Sequence, residues 1–306
     1  ELALAMGLEM ATARLGTALA LATSVPIAKA FGHVSKPILF CLILLVIGLI
    51  SFIIYTFMDK KLDASQAEYD KSNNVTNEEE AFKISDIFNI ITNKGWWYIA
   101  ILCVLFYSAV FPFLKYAADL MVNKFGVDES LAGTIPAMLP FGTILLTPFF
   151  GNIYDRKGKG ATIMLIGSLL LIFVHTMFSI PFLNHWIIAI VLIIILGIGF
   201  SLVPSAMWPS VPKIIPENQL GTAYSLIFWV QNWGLMGVPA LIGWVLDKYC
   251  VTGQKVVEGV TVNTYNYTIP MIIFTSLGIL ALVFALLLKA EDKKKGYGLE
   301  LPNIQK

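Results

Sequence analysis

The chain has little charge, few histidines and few cysteines. Charged residues make up 13% of the 306 residues, and there are three histidines and three cysteines. Soluble domains carry roughly 25% charged residues, so this chain could not cover the surface of a soluble domain. The three cysteines show no spacing that is typical of a metal or redox site. We therefore expect neither a metal nor another cofactor, and the net charge of +1 gives no indication of a nucleic-acid partner.

Apolar residues instead make up 57% of the chain, and the mean hydropathy is +0.76. This balance suits a lipid bilayer and predicts an all-α membrane protein, because the apolar runs are continuous rather than alternating. A span needs about 20 mostly apolar residues. The eight segments that meet this requirement are 3–30, 37–58, 96–122, 130–154, 161–181, 186–210, 219–247 and 268–289.

The long polar stretch 59–95 divides the spans into two groups. It predicts a cytoplasmic linker that ends in an interfacial helix, Ile84 to Asn93, just before Trp96. Basic residues concentrate in this stretch, in every second connection and after the last span, which places both ends of the chain in the cytoplasm. The predicted regions are two helices in 1–58, the linker in 59–95, a six-helix bundle in 96–290 and a cytoplasmic tail in 291–306.

The spans differ in polarity with a period of three. The second, fifth and eighth spans have very few polar groups and are suited to face lipid all round. The others carry proline and polar residues, which are tolerated at membrane depth only against protein or a wet cavity. A three-helix repeat of this kind is typical of transporters.

The connection after the fourth span carries the sharpest motif, with glycines and an acid at fixed offsets. This G-x-x-x-D-R-x-G-[RK] pattern resembles the signature loop of the major facilitator superfamily, whereas a purely topogenic loop would need only the basic residues. The resemblance implies a fold of twelve helices in two halves, and a loop that acts as a conformational latch. The matching residues are Gly151, Asp155, Arg156, Gly158 and Lys159.

The resemblance also implies which part of the fold this chain represents. The first uniformly apolar span would be helix six, so the chain looks like helices five to twelve, an incomplete fold of about eight of twelve helices. Region 1–58 would then hold the last two helices of the N-terminal bundle. Three further stretches resemble the branch that contains the lysosomal dipeptide transporter: 13–17, 109–113, and 208–209 together with 219–224 and 231–234. Dipeptide transport by alternating access is thereby implied, and the short connections favour a bacterial inner membrane.

Arg14 is the main candidate for substrate binding. It lies near the middle of the first span, where a permanent charge costs at least about 2.5–3.5 kcal/mol on insertion scales. It is either neutralised by a structural carboxylate or forms a site for an anion. The resemblance implies that it holds the carboxylate of the substrate, with the acid for the substrate amine in helix four. The other residues predicted at the substrate site are Trp208, Tyr224, Gln231 and Asn232.

Other readings remain open. Lys115 and Asp119, four residues apart in the third span, predict an internal ion pair, with a coupling role as the alternative. His175 indicates a helix contact rather than a proton relay. Another small organic anion would suit Arg14 equally well, and the coupling ion cannot be read from the residues. A receptor-like scaffold or an intramembrane enzyme is the other class, although no catalytic motif is present.

Overall fold

A computed structural model describes residues 2–73, 83–257 and 260–304. Within these residues, eight helices are long and apolar enough to cross a membrane, which confirms the predicted number of spans. A ninth, short helix precedes the third of them. The helices are α1 Leu2–Ala30, α2 Ser35–Asn73, α3 Ile84–Ile91, α4 Lys94–Phe125, α5 Thr134–Lys157, α6 Gly160–Ser179, α7 Trp186–Ser210, α8 Leu220–Tyr249 and α9 Thr268–Lys295.

The chain divides into two compact units, one of residues 1–21 with 82–306 and one of residues 22–81. The second unit contains the end of α1 and all of α2. The most apolar window of α2 has no buried residue within this chain. Part of the predicted linker, residues 74–82, lies outside the described residues. Helix α3 occupies the position of the predicted interfacial helix and ends two residues earlier.

The first unit is built around the six helices α4 to α9. Helix α6 packs on α7 and α9, α5 packs on α7, and α4 packs on α8 and α9. Large aromatic side chains fill the centre, among them Phe106, Phe113, Phe200 and Phe274, all at most 2% exposed.

Helix α6 corrects the prediction that a uniformly apolar span faces lipid all round. One side, with Leu169 and Phe173, is exposed, but the opposite side, with Leu171 and Phe178, is buried against the neighbouring helices. Half of its most apolar window is buried. The prediction is wrong for this helix and for α9, where Phe274 and Leu288 are fully buried, because lipid and a helix–helix core select the same apolar residues.

A β-hairpin between α8 and α9 was not predicted. Strand β1, Val251–Val257, pairs antiparallel with β2, Val260–Tyr265. The two strands are rich in valine and threonine, whose branched side chains favour extended backbone. The Lys255 ammonium on β1 forms an ion pair of 2.7 Å with Glu129, in the connection before α5.

Close helix packing depends on glycine at the crossing of α6 and α7. A Cβ atom on Gly167 would stand 2.5 Å from Cγ2 of Val203 and 3.0 Å from the backbone oxygen of Gly199. The first distance is too short for a real Cβ contact and the second is tight, so the Val203 side chain or the backbone of α7 must shift. Small residues at such crossings are the usual means of close approach in membranes.

We expect Gly167→Ala to lower the melting temperature of the protein in detergent, because overpacking costs about 1–3 kcal/mol. Gly142→Ala is the matched control, since no atom lies within 4 Å of its added methyl group. That control gains helix propensity of up to about 1 kcal/mol and should melt at the same or a higher temperature. An equal response of the two variants to thermal unfolding would contradict this account of the α6–α7 crossing.

Candidate functional site

Helix α1 contacts the six-helix unit through small residues on one face. Ala3, Gly7, Ala11 and Ala18 recur at helical spacing, and the three alanines are at most 5% exposed. A Cβ on Gly7 would lie 3.0 Å from Cα of Pro148 in α5. The two backbones therefore approach as closely as glycine and alanine permit.

Arg14 lies on the same helix, about 18 Å from its first residue at 1.5 Å per residue. Its guanidinium carbon stands 4.6 Å from the ring centre of Phe200 in α7 and 5.0 Å from that of Phe111 in α4. The guanidinium also lies beside the hydroxyl of Tyr107. No carboxylate among the described residues forms an ion pair with it. The structural-carboxylate alternative thus has no support in this part of the chain, and the ring faces provide a weaker cation–π attraction.

Trp208 belongs to the same cluster as Arg14. Its indole Nε1 donates a hydrogen bond of 3.1 Å to the Tyr107 hydroxyl, and its ring stacks on Phe228 with centres 4.8 Å apart. The Tyr224 hydroxyl in turn donates to the backbone oxygen of Trp208 at 3.0 Å. The structure therefore brings together three of the predicted site residues: Tyr107 connects Arg14 with Trp208, and Trp208 contacts Tyr224.

The two adjacent amides of α8 separate in the structure. Gln231 is 7% exposed, and its Oε1 accepts a hydrogen bond of 3.1 Å from the Cys103 thiol of α4. Asn232 is exposed, and its amide donates to the backbone oxygen of Phe228 at 2.9 Å. Consecutive residues on a helix point about 100° apart, so these two side chains face different surroundings.

The predicted ion pair of Lys115 and Asp119 is not formed. Lys115 is exposed, whereas the Asp119 carboxylate accepts a hydrogen bond from the hydroxyl of Tyr267. Burial and this bond to Asp119 raise the pKa of Tyr267 above its ordinary value, so the phenol stays a donor. The carboxylate's partner directly precedes α9, far along the chain, so the spacing within α4 could not identify it.

His175 is buried in the core of the six-helix unit. Its ring lies between those of Phe113 and Phe274, with centres 5.2 and 5.3 Å away. This packing agrees with the helix-contact role that the sequence favours.

The motif loop between α5 and α6 turns through two consecutive residues with positive φ. Gly158 has φ +69° and Lys159 has φ +63°. A Cβ on Gly158 would lie 2.4 Å from the backbone oxygen of Glu300. The last described residues therefore pack directly against the loop, and the backbone N–H of Lys159 donates to that oxygen at 2.9 Å. Arg156 is exposed, and its Nε donates to Asn152 one turn earlier at 3.0 Å.

Asp155 joins three parts of the chain at the end of α5. Its side chain is 1% exposed and accepts hydrogen bonds from the backbone N–H groups of Ala3 at 3.2 Å and Leu4 at 2.9 Å. The side-chain amide of Asn303, near the end of the chain, donates to it at 2.7 Å. Next to it, Gly151 leaves no room for a Cβ, which would lie 2.5 Å from the oxygen of Ala3. The carboxylate thus connects α5 with the first turn of α1 and with the tail.

Sequence reasoning missed Tyr107, Phe111 and Asn303. Cys103, Tyr107 and Phe111 recur every four residues and so share one face of α4. This pattern could have identified Tyr107 and Phe111. Nothing in the local sequence indicates that Asn303 contacts Asp155, because the two are 148 residues apart.

The helical architecture and the motif loop define a class of protein, a multi-pass membrane protein. A family model of the Major Facilitator Superfamily matches residues 1–239. The chain belongs to that superfamily, as the motif loop indicated.

Two relatives and one solved structure give the comparison more detail. The lysosomal dipeptide transporter MFSD1 of Gallus gallus is 32% identical over 168 residues, which are 55% of this chain and 37% of that protein. The protein of the same name from Danio rerio is 29% identical over 200 residues, 65% of this chain and 41% of the relative. The chain thus spans about two fifths of these relatives.

The structure of a peptide transporter POT in complex with sulfate superposes with a TM-score of 0.56 and 17% identity. The superposition covers 69% of this chain and 40% of that one. It supports the major facilitator fold that the sequence predicts.

We expect Asp155→Asn to speed hydrogen exchange at the backbone amides of Ala3 and Leu4 by about tenfold or more. Hydrogen bonds to a charged group contribute about 1.5–3 kcal/mol, and an amide in this place offers one acceptor oxygen instead of two. Exchange measured by mass spectrometry on the first turns of α1 tests this. Arg156→Gln removes the neighbouring charge without touching α1 and should leave the exchange unchanged. Equal exchange in both variants would show that Asp155 does not hold α1.

Proposed function

We propose that the protein carries small carboxylate-bearing zwitterions, most specifically dipeptides, across a membrane by alternating access. In this proposal the chain forms helices five to twelve of the carrier, and four further helices complete its N-terminal bundle. The coupling ion stays open, because no described group identifies one.

One observation carries the proposal. The Arg14 guanidinium lies deep in α1, faces two aromatic rings and a phenol, and has no carboxylate partner among the described residues. A guanidinium grips a carboxylate with two parallel hydrogen bonds. A substrate carboxylate would replace the weak ring contacts with an ion pair in a site of low polarity, where that pair is strongest. The names of the relatives support a dipeptide as the bearer of that carboxylate.

The other site residues take roles that their positions suit. Trp208 and Tyr224 support the Arg14 cluster from α7 and α8. Asn232 is exposed and offers an amide oxygen to polar groups of a substrate. Gln231 is already bonded to Cys103, so we assign it to the contact between α4 and α8 instead.

The motif loop serves as the latch of the cytoplasmic side. Asp155 holds the first turn of α1 against α5, and Gly151 permits that contact. Moving α1 away breaks these bonds, so they stabilise the closed state of this side. Both described ends are cytoplasmic in this arrangement, which the basic connections support, and the short connections suggest a bacterial inner membrane.

Arg14→Lys in the full-length protein tests the identity of the substrate. We expect dipeptides to raise the melting temperature of the wild type, and the variant to lose this response. Lysine keeps the charge but not the planar fork, and truncating a buried charged hydrogen bond costs about 2–5 kcal/mol. Dipeptide C-terminal amides should not stabilise the wild type. Equal stabilisation by amides and free acids would remove Arg14 from the binding site, and a response to other organic anions alone would favour the alternative carrier.

Asp155→Asn tests the latch by transport in liposomes. We expect uptake to slow several-fold while the protein inserts in its normal orientation, because the change destabilises one of two conformers. Arg156→Gln is the control and should transport as the wild type does. Normal transport by Asp155→Asn, or an inverted orientation in cysteine labelling, would contradict the latch. If no solute moves intact, a scaffold or an enzyme becomes the better reading.

A further inference from the structure

Tyr107 is a buried phenol with an unusual set of neighbours. It is 4% exposed and lies on the face of α4 that meets α1 and α7. Its oxygen accepts the hydrogen bond of Trp208 Nε1 at 3.1 Å and lies beside the Arg14 guanidinium. Both of these side chains can only donate hydrogen bonds, since neither arginine nor the indole has an acceptor.

The phenolic proton of Tyr107 therefore lacks an acceptor. It cannot go to Arg14 or Trp208, and no other described residue accepts a hydrogen bond from it. Leaving a buried donor unsatisfied is unfavourable, because the group loses its water without gaining a partner. The free O–H and the Arg14 fork are adjacent, so one group with several lone pairs would satisfy both.

The Tyr107 ring is held firmly in this position. Aromatic rings surround it at centre-to-centre distances of 5.5 Å for Phe111, 5.7 Å for Phe200 and 6.4 Å for Trp208. The hydroxyl can rotate its proton, but the oxygen cannot move far. A fixed donor of this kind binds without a further cost of ordering.

We infer that Tyr107 donates its phenolic proton to the anionic group that Arg14 binds, and is thus a second binding residue for the substrate carboxylate. This inference rests on the proposed function, which supplies the anion. In this arrangement Arg14 of α1 donates to both oxygens of the carboxylate. Tyr107 of α4 donates to one of the same two oxygens.

A graded change of phenol acidity tests the inference in the full-length protein. Fluorinated tyrosines placed at position 107 make the O–H a stronger donor and a weaker acceptor, with little change of size. We expect the Kd of dialanine to fall as acidity rises, at a pH where every phenol stays protonated. If Tyr107 only accepts from Arg14 and Trp208, the Kd should rise instead. Tyr107→Phe should weaken binding roughly tenfold or more.

The same series at Tyr116 is the matched control. This phenol lies on the same helix, and its hydroxyl already donates to the backbone oxygen of Pro239 at 2.9 Å, so dialanine binding should not depend on its acidity. If the Kd of dialanine stays constant or rises across the series at position 107, while the wild type binds normally, the inference is overturned and the proposed function stands.

A second outcome separates the inference from the proposed function. If dialanine fails to bind the wild type but another small carboxylate binds, the dipeptide proposal is wrong. The Kd of that carboxylate is then measured across the fluorotyrosine series instead. If no carboxylate binds, both are overturned.

Discussion

A permanent charge at membrane depth must be compensated by polar or aromatic groups, and the Arg14 guanidinium is surrounded by such groups. The guanidinium is half-buried, and the described residues offer it two ring faces and a phenol rather than a carboxylate. Such contacts are worth about 0.5–2 kcal/mol, less than the cost of placing an arginine at mid-span. The described residues therefore compensate the charge only in part. A stable resting site would have an acid beside it; a site that must release an anion in every cycle is better without one.

Helix α1 meets the six-helix unit through two different kinds of contact. Along most of its length the contact is small residue against small residue, with Gly7 and Gly151 at the points of closest approach. Small side chains bury little apolar surface between α1 and its neighbours. The polar contacts at Arg14 and Asp155 therefore contribute a large share of the attraction. A weak apolar interface with a few strong polar contacts suits a joint that must open, whereas the densely packed α6–α7 crossing suits a joint that stays closed.

The sequence predicted what depends on composition, period and local motif. Eight spans, the short helix α3 and the turn of the motif loop follow from apolar runs and from glycine at fixed offsets, and the structure contains all of them. The pairs that reach between distant segments were not predictable. Lys115 and Asp119 have ideal helical spacing, yet the carboxylate accepts a hydrogen bond from Tyr267, which directly precedes α9. The hairpin after α8 carries β-branched residues, but its short strands were not distinguished from a polar loop.

Asp155 shows why the local motif was informative and still incomplete. The pattern identified the acid and the glycines, because their roles depend on backbone geometry within a few residues. It did not identify the tail, although Asn303 donates to the same carboxylate oxygen as the backbone of Ala3. In the proposed cycle α1 leaves this oxygen when the cytoplasmic side opens, while the tail stays bonded to the loop through Lys159 and Gly160. The Asn303 amide then still donates to the carboxylate after α1 has moved away. A latch that opens repeatedly benefits from such a substitute, because a buried acid with no donor would make the open state too costly to reach.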